Sequence, residues 1–331
     1  MIWLTWRQHR IEVLIMGSIL LLLTVILLVT GIHSSLDAHA LSTCIKNQQA
    51  DCSAVQGSMS NDINQIAENP FFTISLLALP LLTGMFIGAY AIARELEQGT
   101  YRMIWTQGLP WNRWLWRKIG LLICPVLGAF GILFGLLSWW VSSSNALQWG
   151  GSFSFENRFD VWGGVIIAYA LFALMLGIFA GTALRRTVPA MAVTLGVFIA
   201  VRILVVNFLR PYYLPPVVLT NSLLFSTTPA PAASLVPVNS WIISNTTIDR
   251  QGRPVPPDEL FNCQDLLGPK ANNIDQYNQC ISKHGLQNRY VYQPGDRFWL
   301  FQAIESGIYL LLAALLFALT FWWIKHRIIR V

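Results

Sequence analysis

The chain has 331 residues, of which 54% are apolar or aromatic and only 11% are charged, with a formal net charge of +6. Soluble domains carry about 25% charged residues, so there is too little charge here to coat a water-soluble particle of this size. A cytosolic globular enzyme and an intrinsically disordered chain are both excluded, and the implied solvent is lipid.

The chain opens on MIWLTWRQHR. Trp3, Trp6, Arg7 and Arg10 put aromatics and cations directly before an apolar run, which predicts a short amphipathic helix over 1–10 in the headgroup layer. A hydrocarbon core about 30 Å thick needs roughly 20 apolar residues. Six stretches reach that length: 12–32, 71–93, 119–141, 162–184, 188–208 and 301–324. The first is about as long as a span and lacks a small-residue cleavage site, so it reads as a retained span rather than a signal peptide. The predicted class is an all-α polytopic membrane protein. Residues 11–209 hold five spans, 210–300 an irregular extracellular cap, and 301–331 the sixth span and a tail.

Orientation follows from Lys and Arg, which stay on the cytoplasmic side. With the N-terminus inside, inner segments hold twelve cations and three acids, whereas outer segments hold nine cations and twelve acids. Both termini are then cytoplasmic, and the basic balance needs no nucleic-acid partner. Cys44 and Cys52 fall in the first outer loop, Cys263 and Cys280 in the last, and Cys124 inside a span. That distribution suits an oxidising exterior. Two local bridges, 44–52 and 263–280, are the first choice, with pairing between the loops or four free thiols as the alternatives. Within 210–300 the proline-rich STTPAPAASLVPV predicts irregular backbone, and the apolar run 214–225 is expected to dip into the outer leaflet or pack on span tops.

Several chemistries are missing. None of the five lysines follows a glycine, so no phosphate-binding G-x-x-x-x-G-K-[ST] loop exists. The five histidines are scattered without metal-ligand spacing, and no G-x-S-x-G elbow occurs. What remains is positional. The inner loop 93–118 is long for a connection and mixes acids, cations and Trp105, Trp111, Trp114 and Trp116. Glu95 and Glu97, beside Arg94 and Arg102, are expected to form a helix surface that docks a cytosolic partner. Arg202 and Glu305 lie about 10 Å below the outer ends of spans five and six. Intramembrane charges usually find a partner, so the two are expected to pair and brace an outer gate, with snorkelling of both to the interface as the alternative. Gly84/Gly88, Gly131/Gly135 and Gly177/Gly181 permit close helix approach, and Pro80 and Pro125 are expected to kink spans two and three.

The motifs WLTWRQHR (3–10), RELEQGTYR (94–102) and TQGLPWNRWL (106–115) resemble those of permease subunits of ABC-2 type exporters. The resemblance implies an N-terminal interfacial helix around Trp3, Trp6 and Arg7. It also implies a coupling segment at Glu95, Glu97, Gly99, Thr100 and Arg102 that engages an ATPase subunit. By the same resemblance the permease works as a dimer, with itself or a sister permease, on two ATPase copies. Those copies carry the ATP and Mg2+, and this chain binds no cofactor or metal and is not itself an enzyme. The implied setting is a bacterial plasma membrane and its lipid, and the implied cargo is hydrophobic or amphipathic: an antibiotic, peptide or lipid. Of the other classes, an ion-driven transporter calls for more mid-membrane charge than Arg202 and Glu305, and an intramembrane enzyme for a nucleophile or metal set in the spans. The runner-up is a membrane sensor using 210–300 as receptor, which leaves the tryptophan- and charge-rich inner loop without a purpose.

Overall fold

The computed structural model describes residues 2–46, 70–99, 111–144, 158–222, 236–237, 240–255 and 274–328. Among them six helices are long and apolar enough to cross a membrane: Gly17–Cys44, Ile74–Glu97, Asn112–Val141, Val165–Leu184, Thr187–Tyr212 and Gly295–Arg327. The chain divides into two compact units, one holding the spans and one comprising 150–156 and 209–300.

In the first unit, α1 runs unbroken over Ile2–Lys46. The stretch expected as a separate interfacial helix is therefore continuous with the first span. No proline interrupts α1 and its first glycine is Gly17, so nothing ends the run of intrahelical hydrogen bonds after residue 10.

The second span is composite. Helix α2 (Pro70–Leu82) passes into a π-helical segment (Thr83–Ala89) and then α3 (Tyr90–Glu97). Pro80 lacks an N–H and clashes with the preceding turn, and the widened segment begins three residues after it. Pro125, by contrast, is carried inside the continuous helix α4 (Trp111–Ser144).

A short helix α5 (Arg158–Val161) leads to α6 (Val165–Leu184), the centre of the bundle. This helix is apolar all round, the pattern of a helix with no solvent-facing side. In its most apolar window 83% of residues are buried, against 17% for the fifth span and 28% for the third. It packs against α2, the π segment, α3, α4 and α7 (Thr187–Leu204). Contact with the π segment is backbone on backbone. A Cβ at Gly177 would run into the backbone of Gly84 and Ala89, and one at Gly84 into the Ala173 carbonyl. The Gly131/Gly135 step on α4 has nothing within 4 Å among the described residues. Two residues turn α6 into α7: Arg185, left-handed at φ 54, and Arg186, extended. Helix α1 lies on α4, where the Trp140 indole N–H donates to Thr30 Oγ1 at 3.1 Å.

The last span, α9 (Phe298–Trp323), buries Gln302, Glu305, Tyr309, Ala313 and Thr320. These positions recur at steps of three, four and seven residues and so share one face, while Leu311, Leu315 and Trp322 stay exposed.

The second unit holds a three-stranded antiparallel sheet in the order β1-β3-β2, with β1 Val217–Ser222, β2 Trp241–Ile248 and β3 Gln287–Gln293. The region expected to be irregular is thus partly a sheet. The 214–225 run, expected to dip into the outer leaflet or pack on span tops, contributes β1, whose register pairs Val217 with Tyr292 and Ser222 with Gln287. Exposure alternates along β1, the period-two signature of a strand. Three short runs far apart in sequence hid the sheet behind the prolines between them. Before β3, helix α8 (Ile274–His284) buries Tyr277 and Ile281 with Leu286. The turn after β2 is closed by Asp249, which accepts from the Gln251 and Arg253 backbone N–H groups. The Arg253 backbone hydrogen bond, foremost, holds the Asp249 carboxyl below the usual carboxylate range.

Replacing Gly177 by valine forces α6 off the π segment and is expected to destabilise the bundle by at least about 2 kcal/mol. Gly135→Ala is expected to leave it unchanged, and SDS titration of both variants in mixed micelles makes the comparison.

Candidate coupling and gate sites

Two polar clusters sit in the bundle. The first is at the end of α3. Its buried face carries Ala91, Ile92 and Glu95, and Glu95 Oε1 lies 2.6 Å from Lys118 Nζ of α4, with both side chains at least 90% buried. Lys118 also lies over the Trp114 ring at 5.3 Å. Buried charges of opposite sign are tolerated when paired at such distances. Glu95 is therefore an internal ion pair and not the exposed docking acid that the sequence suggests. Its burial follows from α3's amphipathic spacing, which puts residue 95 on the stripe of 91 and 92.

Glu97 is exposed, and its Oε2 accepts from Thr187 Oγ1 at 2.8 Å and from the Thr187 backbone N–H at 3.2 Å. Gly99 has φ 70, the left-handed conformation that commonly ends a helix. Thr100, Arg102 and Trp105 lie outside the described residues. Trp114 is buried, whereas Trp116 is 59% exposed and packs on Phe317 at 5.0 Å. Trp3, Trp6 and Arg7 are backbone positions of α1 whose side chains lie outside the described ones.

The second cluster centres on Arg202 of α7. Its Nη2 lies 2.7 Å from Asp160 Oδ2 of α5, and its Nη1 lies 3.3 Å from Glu305 Oε1 of α9. The guanidinium stacks 4.2 Å above the Tyr169 ring of α6. The Tyr169 hydroxyl donates to Glu305 Oε1 and approaches Asp160 Oδ1 at 3.3 Å. Tyr309 packs edge-on against Tyr169 at 4.7 Å. One turn before Glu305, Gln302 accepts from the Val165 N–H at 3.1 Å and donates to the Phe159 carbonyl at 2.7 Å. It fills the space beside Gly163, where a Cβ would collide with it. Four helices (α5, α6, α7 and α9) meet here through side-chain pairs and through Gln302, which bonds the backbone of α5 and α6.

The structure thus brings Arg202 and Glu305 together, and adds Asp160, Tyr169 and Gln302. From sequence, Asp160 counted as an outer-loop acid. Its place just ahead of an apolar run was the available signal, because such a residue reaches the same depth as Arg202. Tyr169 and Gln302 gave no signal, since one tyrosine and one glutamine near span ends are ordinary. Of the cysteines, Cys44 on α1 and Cys280 on α8 are engaged. Cys124 on α4 is a free, exposed thiol, and Cys52 and Cys263 lie outside the described residues. Among the described residues no three His, Cys, Asp or Glu side chains are grouped to hold a metal ion.

Removing the arginine deprives two buried carboxylates, Asp160 and Glu305, of their shared cation. Arg202→Met is therefore expected to cost about 3–5 kcal/mol, and Tyr169→Phe about 1–3 kcal/mol, in SDS unfolding of the purified protein. Equal midpoints for the two variants would show that the guanidinium does not hold the cluster.

The family model described as ABC-2 membrane transporter related matches residues 15–210. Those residues contain the first five spans, both acids of α3 and Arg202. Neither the curated proteins nor the solved structures yield a match. With more than half its length matched and six helices among the described residues long and apolar enough to cross a membrane, the chain is a multi-pass permease belonging to the ABC-2 membrane transporter related family.

Proposed function

We infer that this permease is the membrane subunit of an ATP-driven exporter. It lines the translocation path in a dimer with itself or a sister permease, and two separate ATPase subunits supply ATP and Mg2+ chemistry. The observation that carries this reading, beside the family, is the segment 94–118. Its described ends lie on α3 and at the start of α4, and the Glu95–Lys118 ion pair ties the two together. A basic, tryptophan-rich segment anchored at both ends is suited to receive a push from a partner. The chain has no phosphate-binding loop of its own, so the energy must come from elsewhere.

The excess of cations on the segments taken as inner supports a cytoplasmic side for both termini and residues 94–118, in a bacterial plasma membrane. The unit spanning 209–300 is then the outer cap. Cys44–Cys52 bridges within the first outer loop and Cys263–Cys280 within the cap, and the Arg202 cluster braces the outer gate. Lipid surrounds the outward-facing Leu, Val and Trp side chains, and a path lined by Phe, Leu and Trp favours a hydrophobic or amphipathic cargo.

Purification of the tagged permease in mild detergent from its own host is expected to bring down a Walker-motif ATPase near 1:1, as read by mass spectrometry. Arg102→Glu is expected to reduce that yield at least fivefold. A permease that arrives alone, or with a kinase, sinks the exporter reading in favour of a sensor. Thiol titration of the oxidised, unfolded chain is expected to give one free thiol, Cys124; a count of five removes the bridges.

A further inference from the structure

The exporter reading leaves open how a displacement of segment 94–118 reaches the rest of the bundle, and the end of α3 supplies a route. Helix α7 starts without a cap of its own. Its N-cap residue is Arg186, extended and making no side-chain cap hydrogen bond. The first N–H groups of a helix lack intrahelical acceptors, and Ser, Thr, Asp or Asn normally serves them from the N-cap position. Here the acceptor comes from another helix: Glu97 Oε2 of α3 takes both the N–H and the hydroxyl of Thr187. The carboxylate also faces the positive end of the α7 dipole. Behind it, Ala89 and Ala93 of the second span pack with Ala180 and Ala190, and side chains that short leave little slack between α3, α6 and α7.

At the same turn Arg185 Nη2 donates to the Arg327 carbonyl after α9 at 3.0 Å. From Thr187, α7 runs fifteen residues, or about 22 Å, to Arg202 and its partners Asp160 and Glu305. A helix is stiff over that length, so moving its first turn moves its last.

Resting on the exporter reading, we propose that Glu97 is a positioning residue: by capping α7 from α3, it transmits movement of the coupling segment to the Arg202 cluster about 22 Å away, and it makes no contact with the ATPase. Thr187 is its receiving partner. Because the link is a hydrogen-bonded cap, it needs an acceptor oxygen more than a charge, and this separates it from a docking ion pair.

The test uses the full permease–ATPase complex in nanodiscs. A maleimide fluorophore sits on a cysteine introduced as Phe208→Cys, in a Cys124→Ser background. Phe208 is 68% exposed beyond the Arg202 end of α7. ATP with vanadate is expected to shift the emission of this parent complex. Glu97→Ala is expected to reduce the shift at least fivefold while co-purified ATPase stays at the parent level. Thr187→Val, which removes one of the two donors, is expected to reduce it at least twofold, and the double variant to behave as Glu97→Ala alone. Glu97→Gln keeps an acceptor and is expected to retain most of the shift.

The proposal is overturned if Glu97→Ala and Glu97→Gln both release the ATPase while Thr187→Val does not, because Glu97 is then a docking residue. It is overturned equally by a full shift in Glu97→Ala, or by no shift in the parent complex. A parent permease that holds no ATPase overturns the exporter reading instead, so the two failures are distinct.

Discussion

The bundle depends on the absence of side chains where α6 meets the π-helical segment of the second span. In lipid, helices gain little from hiding apolar surface, since acyl chains are as apolar as leucine, and association rests on close van der Waals contact and hydrogen bonds. Gly84 and Gly177 allow backbone to lie on backbone. The π turn sets the register of that contact, and it follows from Pro80 three residues earlier. Once α2, α3 and α6 are fixed in this way, α7 follows after a two-residue turn, and α4 and α1 pack around the outside.

Polar groups then specify what apolar packing leaves degenerate. Smooth leucine and valine faces allow helices to slide and rotate at little cost. Each polar contact accepts one register only: Gln302 between Val165 and Phe159, Glu305 against Tyr169 and Arg202, Glu95 against Lys118, and Glu97 at the head of α7. These contacts lie toward the two ends of the spans, while the mid-length of α6 is purely apolar. The bundle is thus indexed at its ends and smooth between them, an arrangement that permits tilting about a fixed waist.

The spans were legible in the sequence because bilayer thickness imposes a length that composition alone reveals. Arg202 and Glu305 were legible as a pair for a related reason: a charge in lipid demands a partner, and few candidates exist at that depth. Asp160 was not, because it sits at the boundary where loop and span cannot be told apart without coordinates. The burial of Glu95 was not legible either, since an acid in a charged loop looks solvated until its helical face is known. The sheet escaped because its strands, Val217–Ser222, Trp241–Ile248 and Gln287–Gln293, are separated by proline-rich and polar sequence. Pairing between such segments is settled by tertiary context rather than local pattern.

The order of the Arg202 cluster along the chain bears on biogenesis. Asp160, Tyr169 and Arg202 emerge first, and Glu305 follows more than a hundred residues after Arg202. A lone carboxylate raises the cost of inserting a helix by roughly 2.5–3.5 kcal/mol. When the last span leaves the ribosome, its carboxylate meets a guanidinium and a phenol already in place. The final helix is thus received by the earlier ones, and an Arg202→Met chain would present the insertion machinery with a sixth span that has no counter-charge.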